Sequence, residues 1–132
     1  MLSALMQELS KEWELEGPLP QEIPGVYKVP LDEGVSFSIT SLIEGNQTGI
    51  VLTSNLAAIP RGSEEKLFTH ALLGNLFGQG TKQAILGLNE SGSLLTLSRY
   101  IDYDVNFQEF REIIEDFINT IDFWREEILK HQ

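Results

Sequence analysis

The sequence predicts an α+β fold in which three helices pack with a twisted antiparallel sheet, in the order αβββαββα, within a single domain spanning residues 1–132. Three observations carry this reading. Val35, Phe37 and Ile39 alternate strictly with Ser36, Ser38 and Thr40, the period of a strand with one buried face. Two short apolar runs, Ala84 to Leu88 and Leu94 to Ile101, flank the turn Asn89-Glu90-Ser91-Gly92 and read as an antiparallel hairpin. From Asn106 onward, apolar residues recur at helical spacing as far as Leu129. Hairpin-joined strands with helices between the blocks point to an antiparallel sheet.

The first helix is expected from about Ser3 to Leu15, with Leu2, Leu5, Met6, Leu9 and Trp13 on one face and Glu8 and Glu12 on the other. Gly17, Pro18 and Pro20 end it, because proline supplies no helical N–H. Residues 16–25 then read as an irregular connector. A first strand is expected over Val26 to Leu31, with Pro30 marking an edge or bulge. Asp32-Glu33-Gly34 makes a turn into the alternating strand, Gly45-Asn46 makes the next, and a third strand runs within Gly49 to Ile59. Ser63 is a candidate N-cap for the second helix, followed by Glu64 and Glu65, which complement the helix dipole. The apolar stripe of that helix reads Leu67, Phe68, Ala71, Leu72 and Leu76, and Gly78 and Gly80 end it. The last helix has the clearest start. Asn106 with Glu109 has capping-box spacing, and Val105 with Phe110 has the spacing of a hydrophobic staple. Its stripe is Phe107, Phe110, Ile114, Phe117, Ile118, Ile121, Trp124, Ile128 and Leu129, broadened by Ile113. A helix of about 24 residues spans about 36 Å, long for a chain of this size, which places Phe123 and Trp124 near a rim or an interface.

Composition narrows the function classes. The formal net charge is −11 and the chain has no cysteine, so thiolate metal sites, cysteine nucleophiles and disulfides are excluded. Residues 1–33 hold seven acids and two bases, residues 34–101 four of each, and residues 102–132 nine acids and three bases. Acidic ends and a neutral middle argue against binding nucleic acid or anionic lipid, both of which need clustered Lys and Arg. The opening MLSALMQELSKEW lacks a basic start and a continuous apolar run, so it is read as a helix rather than a signal peptide, and no run reaches membrane-spanning length. A cytoplasmic location is the expectation.

No catalytic constellation is legible. His70 and His131, the two histidines, lack metal-ligand or triad spacing. Gly78-Gln79-Gly80-Thr81-Lys82 reverses the Lys-Thr order of a phosphate loop and follows a helix instead of a strand. Asp102, Asp104, Glu115, Asp116 and Asp122 offer no distinguished acid–base pair. Asn46 and Asn89 head glycosylation-type triplets, but they read as turn asparagines. Neither a cofactor nor a metal is expected.

Leu73-Gly74-Asn75-Leu76, Thr81-Lys82-Gln83-Ala84, Leu86-Gly87-Leu88-Asn89, Gly92, Leu95-Thr96-Leu97 and Trp124-Arg125 occur in an order and spacing that resemble the class I type III secretion chaperones, the CesT or Tir chaperone family. The likeness covers nearly the whole chain and is strongest from Leu72 to Trp124. The chain departs from it in the Asn89-to-Gly92 turn, where an Asp-Gly turn is usual, and in its proline-rich connector. The resemblance implies a homodimer that binds the partly unfolded N-terminal region of a secreted effector, keeps it from aggregating and presents it to the export apparatus, with the export ATPase as a further partner. It implies no chemistry. On it, Leu2, Leu5, Met6 and Leu9 with Phe37, Ile39 and Leu52 are the expected client contacts, although the strand residues also suit a core. Leu72, Asn75, Leu76 and Leu95 are the expected dimer contacts. A regulatory or adaptor protein of the same fold without an effector client is the main competing reading. A small carboxylate hydrolase is the other.

Overall fold

The computed structural model describes residues 2–13, 21–23, 25–31, 34–44, 47–62, 64–75 and 83–130. The elements are α1 (Leu2–Glu12), β1 (Gln21–Ile23), β2 (Val26–Pro30), β3 (Ser36–Glu44), β4 (Gln47–Ala58), α2 (Glu64–Asn75), β5 (Ile85–Leu88), β6 (Leu94–Ile101) and α3 (Phe107–Leu129). This is the expected order with one short strand added. β1 lies in the stretch read as an irregular connector. Pro24-Gly25 is the signature of a tight turn, and Gly25 has the positive φ, 87°, that such a turn needs. β1 pairs only with Val26 and Tyr27, so it leaves the far end of β2, with Pro30, unflanked on that side. A proline is therefore tolerated there. The first helix ends at Glu12, earlier than the apolar spacing suggested, with Trp13 donating one last bond to the Leu9 carbonyl. Ser63, Gly78, Gly80 and His131, along with the Asp32-Glu33 and Gly45-Asn46 turns, lie outside the described residues.

The sheet runs β1-β2-β3-β4-β6-β5, antiparallel throughout. The pairing of β4 with β6 joins the two strand blocks across α2, and β5 becomes an edge. Alternation decides the faces. Phe37, Ile39, Leu52, Leu97 and Ile101 point to the helices and are buried. Ser38, Thr40, Thr53, Asn55, Thr96 and Ser98 occupy the opposite face, half-buried or exposed. Leu56 continues the inward alternation of Ile50, Leu52 and Ser54, a bulge between Asn55 and Ala57 shifts the register there, and Arg125 Nε donates to the Leu56 carbonyl at 3.2 Å. Ser54, buried in the same strand, donates to the Ser36 carbonyl at 2.9 Å.

α3 lies across the centre of the helix-covered face. Asn106 caps it through a 2.9 Å bond from the Glu109 N–H, as its spacing predicted. Phe117 meets Phe37 edge-on, with ring centroids 5.4 Å apart. α1 packs along one flank, and its end is tied to α3 by Glu12 and Arg111 at 2.7 Å; the bond to Glu12 raises the Arg111 pKa. α2 packs on the other flank. There the structure departs from expectation at Trp124, which is not at a rim but 1% exposed, whereas Phe123 beside it is half exposed. The reason is Gly74. A Cβ at that position would stand 2.8 Å from the Trp124 Cη2 and collide with the indole. The absence of a side chain lets α2 come down onto the ring.

Gly74→Ala tests this contact with two opposed effects. Helix propensity alone favours alanine by about 1 kcal/mol. Overpacking costs about 1–3 kcal/mol. Urea unfolding should show a net loss of stability; a gain would mean that the indole does not fill the space above Gly74.

Candidate protein-interaction site

Each expected client contact is buried within the chain itself. Leu2, Leu5, Met6 and Leu9 form the inward stripe of α1, and Phe37, Ile39 and Leu52 lie beneath the helices. In this conformation all seven serve the core. The physical reason is economy of apolar surface. An 11-residue helix has one apolar stripe, and α1 turns it into the core beside the contact of Phe117 in α3 with Phe37 in β3. Met6→Glu places a carboxylate where Met6 is 3% exposed. It should destabilise the fold by about 3 kcal/mol or more, measured as a fall in melting temperature.

The expected dimer contacts divide. Leu95 is buried, pairing with Ala57 on one side and Leu88 on the other. Leu76 lies outside the described residues. Leu72 is on the surface, 71% exposed, because α2 buries Leu67, Ala71 and Gly74 and the next residue turns about 100° away. Asn75 works inside the chain. Its Nδ2 donates to the Leu86 carbonyl at 3.0 Å, and its Oδ1 accepts the Leu86 N–H at 2.8 Å. One side-chain amide thus makes both bonds that a neighbouring strand would make, on the outer edge of β5. The edge is closed at its centre, and the end of α2 is fixed to it.

Around that junction the chain exposes large apolar side chains. Leu73 is 64% exposed, Ile85 61% and Leu88 49%, in addition to Leu72. Leu72 and Leu73 precede Asn75 by less than a turn, and Ile85 and Leu88 stand on the strand that it holds. Sequence reasoning missed Leu73, Ile85 and Leu88, although a signal was present. Adjacent leucines on a helix cannot share one buried stripe, and a strand reading Ile-Leu-Gly-Leu at a sheet edge is apolar on both faces. Nearby, His70 lies against Trp124 with ring centroids 4.9 Å apart and 3.5 Å from Glu127, whose carboxylate also meets Lys130 at 2.7 Å. Among the described residues no three His, Cys, Asp or Glu side chains gather as a metal site, and no helix is long and apolar enough to cross a membrane.

The Tir chaperone protein (CesT) family matches residues 4–125. The chain belongs to that family. A protein of Chlamydia pneumoniae is 27% identical over 125 residues, covering 94% of this chain and 93% of the relative. Solved structures share the fold at lower identity. A chain of the HopA1–SchA chaperone–effector complex superposes with a TM-score of 0.71 at 17% identity, covering 95% of this chain and 93% of that one. A chain of the ExsC–ExsE complex gives 0.70 at 16%, covering 95% and 91%. A chain of the heterodimeric ExoU–SpcU complex, from the type III secretion system of Pseudomonas aeruginosa, gives 0.67 at 15%, covering 99% and 97%. Matches of this extent take in all three helices and the sheet, so the family's fold is present as a whole.

Asn75→Asp keeps an acceptor for the Leu86 N–H but sets a carboxylate oxygen against the Leu86 carbonyl. Chemical denaturation should show a loss of about 1–3 kcal/mol. Unchanged stability would mean that the two-bond bridge is not formed in solution.

Proposed function

We propose that this protein is a bacterial, cytoplasmic type III secretion chaperone that binds the N-terminal region of one or more effector proteins in a partly unfolded state and presents them to the export apparatus. The supporting observation is membership of the Tir chaperone protein family over residues 4–125. Chains from chaperone–effector and type III secretion complexes with the same fold agree with it. The protein acts by binding and is not an enzyme. An extended client segment gains affinity by burying apolar anchors and by adding a strand to an open sheet edge. With β5 closed at Leu86 by Asn75, the edge beyond β1 is the one suited to strand addition. The export ATPase is a further partner of the client-loaded form in this proposal.

The working form is a homodimer held through the α2–β5 patch. Leu72, Leu73 and Leu88 leave the chain with an apolar surface on the helix side of the β5 edge, with Ile85 on the other face of the same strand, and a two-fold axis would let each copy cover the other's. Leu72→Glu with Leu73→Glu alters only exposed side chains, so the fold should survive while the mass measured by light scattering falls to half. A monomeric wild type, or a double variant that keeps the dimer mass, would remove this patch from the interface.

The client is tested by affinity capture of the tagged protein from its native host under secretion-inducing conditions, followed by mass spectrometry. One or a few exported proteins, captured through their N-terminal regions, are expected. Recovery only of folded cytosolic partners, from a host with a working secretion system, would favour an adaptor role.

A further inference from the structure

A second unpartnered apolar surface lies on the opposite flank of α3 from α2. α1 covers that flank at the N-terminal half of α3, where Glu12 meets Arg111. Further along, α3 stands apart from the ends of β2, β3 and β4, leaving a groove of about 370 Å³. Leu31, Val35, Ala57 and Ile118 line it, and Leu129, 61% exposed, forms one wall. Asp122 and Glu126, one turn apart on α3 and both exposed, stand at its rim. Among the described residues that line it, the basic one, Arg125, is tied to the sheet through its bond to the Leu56 carbonyl.

This combination selects among occupants. The apolar lining takes aliphatic side chains, and a groove of this volume has room for two or three of them. The rim carboxylates take cations. A second copy packed two-fold through this groove is a poor fit, because it would bring the Asp122 and Glu126 carboxylates of both copies together. A nucleic acid is repelled by the same carboxylates. We propose that the groove is a docking site for a partner polypeptide segment whose aliphatic side chains are flanked by Lys or Arg. The aliphatic groups fill the space between Val35 and Leu129, and the cations meet Asp122 and Glu126. That the segment belongs to an exported client rests on the chaperone reading above; its chemistry rests on the groove alone.

The test uses the full chain and two fluorescein-labelled peptides, one of leucine and lysine at helical spacing and its leucine–glutamate counterpart, followed by fluorescence anisotropy. Asp122→Lys with Glu126→Lys should weaken leucine–lysine binding on the order of ten-fold. Leu129→Ser should weaken it by about five-fold. A control pair with the same change of net charge, Glu65→Lys with Glu90→Lys, lies at exposed positions away from the groove and should change binding by less than about two-fold. The leucine–glutamate peptide should not bind. Circular dichroism confirms that each variant is folded. An equal effect from the control pair, wild-type affinity in the groove variants, or equal binding of both peptides would overturn the proposal. Capture from the host separates it from the chaperone reading. Exported proteins recovered equally well by wild type and groove variants would remove the groove alone. A wild type that recovers none, but binds the leucine–lysine peptide through Asp122 and Glu126, would leave the groove and remove the chaperone.

Discussion

The closure of α2 over the Trp124 indole is the contact on which the arrangement of this molecule depends. Trp124 is the largest fully buried side chain, and it lies where α3, α2 and β5 converge. Gly74 gives the indole its space, His70 covers part of it, and Leu86 from β5 lies within van der Waals reach of the same glycine position. Burying an aromatic of this size contributes several times what a single hydrogen bond does. The indole therefore sets how close α2 approaches, and Asn75 at the end of that helix then meets the backbone of Leu86. Direct packing and an edge-closing hydrogen-bond pair follow from one glycine.

That geometry sorts the surface. Once Leu67, Ala71 and Gly74 face inward, Leu72 and Leu73 must face out, and they do so beside an edge strand whose ladder groups are already bonded at Leu86. An apolar surface next to a closed edge suits a side-chain-mediated interface better than sheet extension. On the opposite flank, α1 turns its whole stripe into the core and, at 11 residues against 23, is too short to follow α3 to its end. The groove beneath Leu129 is what that short helix leaves uncovered. Both surfaces are consequences of helix length and helix phase.

Residues whose role depends on periodicity were legible in the sequence. The alternation of Val35 to Thr40, the Asn106 cap and the α3 stripe from Phe110 to Ile128 stand as read. An apolar stripe at a terminus, by contrast, suits core and client contact alike when read from spacing alone. Leu2, Leu5, Met6 and Leu9 are consumed by the core, as are Phe37, Ile39 and Leu52, because a sheet this wide needs all three helices. β1 was missed for a different reason. It has three residues, too few for a period, and its pairing partner is a matter of tertiary arrangement.

By itself, the sequence determined the class of the molecule: the α+β order, the inward face of each long element, the absence of cysteine chemistry and the family to which residues 4–125 belong. These depend on local spacing and composition, which a chain carries with it whether folded or not. Only the tertiary structure decided which apolar residues remain at the surface, that β4 joins β6, that Asn75 closes the β5 edge and that Trp124 is enclosed by α2. Each of these is a meeting of residues distant along the chain. Burial is a competition between segments for the same cover, and the outcome is set by which elements reach one another in space.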